Sequence, residues 1–78
     1  MEPQAVKDLI ASGFQQAEIT VTGDGSHFDA LIISDEFEGK NTLARQRMVF
    51  AACGDAIGSG QLHNLNITAK TRAQAGLA

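Results

Sequence analysis

Residues 17–34 read Ala17-Glu18-Ile19-Thr20-Val21-Thr22, then Gly23-Asp24-Gly25-Ser26-His27, then Phe28-Asp29-Ala30-Leu31-Ile32-Ile33-Ser34. In the first part, apolar Ala17, Ile19 and Val21 alternate with Glu18, Thr20 and Thr22. That period predicts a strand buried on one face. The middle part is dense in turn formers. In the last part Phe28, Ala30 and Ile32 point one way, and Leu31 and Ile33 the other. A strand apolar on both faces belongs in the centre of a sheet. The link between the two strands is short, so they form a hairpin.

The flanking segments extend this reading. Upstream, Val6, Leu9, Ile10 and Phe14 recur at helical spacing, with Pro3 fit for a first turn and Gly13 for a helix end. A helix is predicted over 3–12. Downstream, 35–40 is a polar loop interrupted by Phe37 and closed by Gly39, and Asn41 or Thr42 caps the next helix. Over 43–57, Gln46, Val49, Phe50, Cys53, Ala56 and Ile57 share one broad face. An irregularity around 41–45 would divide this segment into two helices. Gly58-Ser59-Gly60 ends it. A third strand is predicted over 62–69, with His63, Leu65, Ile67 and Ala69 on one face and Asn64, Asn66 and Thr68 on the other. Thr71-Arg72-Ala73-Gln74 has the spacing of a capping box, and Gly76 leaves room for about one turn after it.

The predicted order is α-β-β-α-α-β-(α), an α/β chain of the α+β kind. A three-stranded mixed sheet carries helices on one face and is partly open on the other. A helical connection between the second and third strands implies a right-handed crossover if they are parallel.

The composition narrows the function classes. The chain has 78 residues, 6 Lys+Arg against 9 Asp+Glu, a net charge of −3, one Cys and two His. It makes one domain, 1–78, near the lower size limit for an unstapled core. A lone cysteine makes no intramolecular disulfide, and one Cys with two His cannot fill a Cys/His zinc site. Net negative charge argues against a general nucleic-acid binder. The N-terminal residues carry Glu2, Lys7 and Asp8 and do not read as a signal peptide. No apolar run approaches the roughly 20 residues of a membrane span. The expected location is cytoplasmic, with no membrane contact and Cys53 reduced.

Few residues are candidates for chemistry. His63 opens the third strand beside a Gly-rich turn, either as a half-buried histidine bonded to a carbonyl or as a ligand at the mouth of the sheet. His27 ends the hairpin loop, as a solvated turn residue or a second ligand. Two imidazoles cannot complete a metal site alone, so a metal held here needs ligands from a partner. Cys53 reads as core packing. Gly23-Asp24-Gly25 fails as a phosphate loop because it joins two strands and opens no helix. Lys40, Arg45 and Arg47 form a basic cluster, placed to touch phosphates or to pair with Asp35, Glu36 or Glu38. The acids lack a buried setting for acid/base work, and no enzyme constellation emerges.

Ordered motifs then add a resemblance. Gly25-Ser26-His27-Phe28, Ile33-Ser34-x-x-Phe37-Glu38-Gly39-Lys40, Arg45-Gln46-Arg47-x-Val49 and Leu62-His63-Asn64-Leu65-Asn66-Ile67 resemble the BolA/IbaG family in order and spacing. The match runs over 3–71, and the hairpin looks more like the IbaG branch. The resemblance implies a fold similar to class II KH domains. It also implies partnership with a monothiol glutaredoxin, the pair sharing a [2Fe-2S] cluster to which glutathione contributes. In that family the histidine before the last strand's apolar run is a cluster ligand, here His63. The second ligand on this side comes from the hairpin loop, where His27 is the candidate. Mixed nitrogen and sulfur ligation is expected to raise the reduction potential. The chain departs from the family at Gln46, Asn64 and the C-terminal Thr71-Arg72-Ala73-Gln74-Ala75, where the family often carries His, Ala and a Trp-containing segment.

Two other expectations stand beside this one. A DNA-binding transcription regulator would use Lys40, Arg45 and Arg47 on phosphates, although no Gly-x-x-Gly loop lies between the predicted helices. A bare homodimerising module is the third.

Overall fold

A computed structural model describes residues 1–60, 62 and 64–77. Its elements are α1 (Pro3–Ala11), β1 (Glu18–Gly23), β2 (Phe28–Ile33), a 3₁₀ turn (Asp35–Phe37), α2 (Thr42–Cys53), α3 (Asp55–Gly58) and β3 (Leu65–Lys70). The sheet order is β1-β2-β3, so β2 is central, as its two apolar faces require. β1 and β2 are antiparallel, with Ile19 opposite Ile32 and Gly23 opposite Phe28. β2 and β3 are parallel, with Phe28 opposite Leu65 and Ile33 opposite Lys70.

The alternation of each strand sends one set of side chains beneath the helices. Ile19, Phe28, Ala30 and Ile32 are buried there against Val6 and Ile10 of α1 and Val49 and Cys53 of α2. Phe37, fully buried, closes this core from the 3₁₀ turn and meets the Phe14 ring edge-on at 5.3 Å. Each Val, Ile or Phe side chain among these contributes about 1.5–3 kcal/mol on burial. The other face stays open. There Thr20, Leu31 and Thr68 form one row across the strands, and Thr22, Asp29 and Asn66 another.

Ser34 locks the far end of β2. It is 2% exposed. Its hydroxyl donates to the Gln16 carbonyl at 2.7 Å and accepts from the Glu36 N–H at 3.1 Å. The Glu36 carboxylate in turn accepts the N–H groups of Gln15 (3.0 Å) and Gln16 (3.2 Å). The segment 35–40 is therefore a capped turn rather than a plain loop.

Several expectations are corrected. The long helix does not break near 41–45. Asn41 caps it there, accepting from the Ala44 N–H at 2.9 Å. The break falls at Gly54, whose φ of 56° suits glycine and separates α2 from α3. Phe50 does not join the core and is 40% exposed, because Val49 and Cys53 define the buried stripe and Phe50 lies off it. β3 starts at Leu65, three residues late. Asn64 has φ of 57°, which interrupts the alternation, so Leu62 is fully buried rather than on the outer face. The capping box forms as expected. The Gln74 N–H donates to Thr71 Oγ1 at 3.2 Å, and the Thr71 N–H to Gln74 Oε1 at 3.0 Å. A single turn follows it, closed by the Leu77 N–H on the Arg72 carbonyl at 2.8 Å.

Candidate functional site

The hairpin loop that carries His27 is folded on itself by hydrogen bonds. The Asp24 carboxylate accepts the N–H groups of Ser26 (2.9 Å) and His27 (3.0 Å). The Asp24 N–H donates to the His27 carbonyl at 3.3 Å. The N–H groups of His27 and Ser26 hold the Asp24 carboxyl below the usual carboxylate range. Gly23 supplies the room for this closure. A Cβ there would overlap the His27 carbonyl oxygen and lie 2.6 Å from Phe28 Cδ1. The result is an exposed His27 side chain on a backbone fixed from both sides.

The parallel pairing decides what lies beside it. β2 and β3 both begin at this end of the sheet, and the Phe28 N–H donates to the Asn64 carbonyl at 3.0 Å. The hairpin exit is thus tied to the entry of β3. His63 lies outside the described residues.

Cys53 stands apart, 1% exposed in the core. Burial raises its thiol pKa, the opposite of an activated thiolate. Among the described residues no three His, Cys, Asp or Glu side chains gather to hold a metal ion.

The basic residues part company. Lys40 and Arg47 are exposed. Arg45 is half-buried, and its guanidinium is engaged by the protein. It donates to the Lys40 carbonyl at 2.8 Å, the Ala69 carbonyl at 3.1 Å and Gln74 Oε1 at 2.7 Å. It also lies 5.8 Å from the centre of the Phe37 ring. These acceptors, rather than Asp35, Glu36 or Glu38, satisfy it. Asp35 instead accepts the Arg72 N–H at 3.0 Å.

Composition did not reveal Asp24 as the residue that shapes the loop. Its signal was the spacing Asp24-x-Ser26-His27, in which a short acidic side chain reaches backbone N–H groups two and three residues on. Arg45 gave no such signal, because its acceptors come from β3 and the C-terminal turn.

Among the described residues no helix is long and apolar enough to cross a membrane. Comparison with known proteins places this architecture. The family profile described as BolA-like protein matches residues 4–74. An uncharacterized protein from the rpoN-murA intergenic region of Acinetobacter guillouiae is 33% identical over 72 residues, covering 92% of this chain and 87% of that one. The acid stress protein IbaG of Escherichia coli K12 is 27% identical over 74 residues, covering 95% and 88% respectively. The structure of a bolA protein homologue from Coxiella burnetii superposes with a TM-score of 0.87 at 28% identity, covering 97% of each chain. The ordered motifs, the element order and these matches agree, and the chain belongs to the BolA-like protein family.

Proposed function

We propose that this chain is an adaptor that docks to a monothiol glutaredoxin and shares a [2Fe-2S] cluster with it, in cluster trafficking or in iron, redox or stress sensing. The observation that carries the reading is His27: an exposed imidazole on a loop fixed by Asp24 and tied to the start of β3. Imidazole is a suitable iron ligand, and a pre-fixed backbone lowers the cost of ordering it. A [2Fe-2S] cluster needs four ligands. The donor chemistry fits half of such a site. His27 and His63 would serve one iron, and the core position of Cys53 keeps it out of the set. The partner's cysteine and glutathione would complete the other half with sulfur. When bound, the cluster supplies a redox-active centre that histidine ligation shifts to higher potential. A relative named an acid stress protein agrees with a sensing role.

The test is co-expression with a monothiol glutaredoxin, followed by visible absorbance and circular dichroism of the purified complex. The expected result is a cluster spectrum that His63→Ala abolishes and His27→Ala weakens. An unchanged spectrum and cluster lifetime in both variants would remove the ligand assignment.

DNA contact is a second reading, supported by the exposed cations Lys40 and Arg47. Phosphate binding through them would weaken steeply with salt. The absence of binding to duplex DNA at low salt would end it.

A further inference from the structure

The same end of the molecule carries a groove that the cluster reading leaves unused. Its volume is about 460 Å³. One wall is formed by Ala5 and Leu9, one turn apart on α1, with Met1 just before the helix. The floor is Cys53 and Ala56, at the bend where Gly54 turns α2 into α3. The floor is uncharged, since burial keeps the Cys53 thiol protonated.

Two carboxylates flank the groove. Asp8 stands on the α1 side and Asp55 on the α3 side, both exposed. Gln4 donates to Asp8 Oδ1 at 2.9 Å, a neutral partner that leaves its charge intact. Among the described residues neither carboxylate is paired with a lysine or arginine side chain. The groove also adjoins the hairpin: a Cβ on Gly25 would lie 3.8 Å from the Met1 carbonyl oxygen. The groove therefore borders the loop that carries His27.

We propose that the glutaredoxin partner anchors here, inserting an apolar side chain flanked by lysine or arginine between Asp8 and Asp55. The inference rests on the adaptor reading above. An apolar side chain in a concave pocket supplies the buried centre of an interface, and rim charges add encounter rate and salt dependence. Anchoring through the groove is independent of iron, so it operates before the cluster is shared.

Calorimetric titration of the full chain with a cluster-free monothiol glutaredoxin, at low and moderate salt, tests this. Ala5→Arg fills the groove from an exposed helix position that tolerates the change, and Asp8→Lys/Asp55→Lys reverses the rim. Thermal melts confirm that both variants fold. The expected result is a loss of affinity of about tenfold or more in each variant, with the wild-type affinity falling as salt rises. Unchanged affinity in both folded variants, alongside a normal cluster spectrum, overturns the groove and leaves the adaptor reading standing. Failure of the wild-type chain to bind glutaredoxin, with or without cluster, overturns both.

Discussion

Arg45 and Gln74 meet at 2.7 Å, and the accepting oxygen, Gln74 Oε1, also receives the Thr71 N–H at 3.0 Å. One amide oxygen thereby joins the start of α2 to the turn that follows β3. Hydrogen bonds to a charged group are worth roughly 1.5–3 kcal/mol, and a planar fork holds several acceptors at once. Arg45→Ala should lower stability by about 2 kcal/mol in urea titration, and Arg45→Lys should recover less than half. The double variant with Gln74→Ala should lose less than the sum of the singles.

Gly23→Ala should destabilise the fold by about 1–3 kcal/mol, because the added methyl meets the His27 carbonyl and the Phe28 ring. The strain falls on the loop that presents His27. Denaturant titration gives the loss, and the His27 amide shift in nitrogen–proton correlation spectra should move further than amides of α1.

The Asp24 carboxyl is held below its ordinary value of 3.8 by the N–H groups of His27 and Ser26. A depressed folded value contributes stability that is present in full above 3.8 and is lost as the pH falls through the folded value. Hydrogen exchange at the Ser26 and His27 amides should quicken in that acid window, relative to amides of α1. Asp24→Asn should abolish the acid-dependent part of this change.

Cys53 is 1% exposed and its thiol is pushed up by burial. Alkylation by iodoacetamide should therefore follow global opening, slowing as stability rises. Native protein should label far more slowly than protein in denaturing urea. Rapid labelling of the folded chain would contradict this burial.

Much of the fold follows from local pattern. The alternation over 17–34 defines both strands and the central place of β2, and the spacing of Val6 and Ile10 defines α1. Other features depend on partners distant in sequence. Phe50 matches the helical period, yet Val49 and Cys53 define the buried stripe and leave it exposed, and Leu62 is buried because Asn64 turns the chain before β3. The site divides in the same way. His27 is visible as a residue type, and the grip of Asp24 on its backbone is local. The capture of Arg45 by Ala69 and Gln74 spans 24 and 29 residues and has no local signature.

The parallel pairing of β2 with β3 has a kinetic consequence. Asp29 and Asn66 stand side by side across 37 intervening steps of chain, bonded at 3.0 Å. The β1–β2 hairpin closes a far shorter loop and should form early, with β3 joining late because distant closure carries a larger entropy cost. Detachment of β3 would then be the first large opening of the native state. A ligand gripping both the hairpin loop and the entry to β3 would act as a clasp on that opening. Its binding should slow unfolding more than it speeds folding.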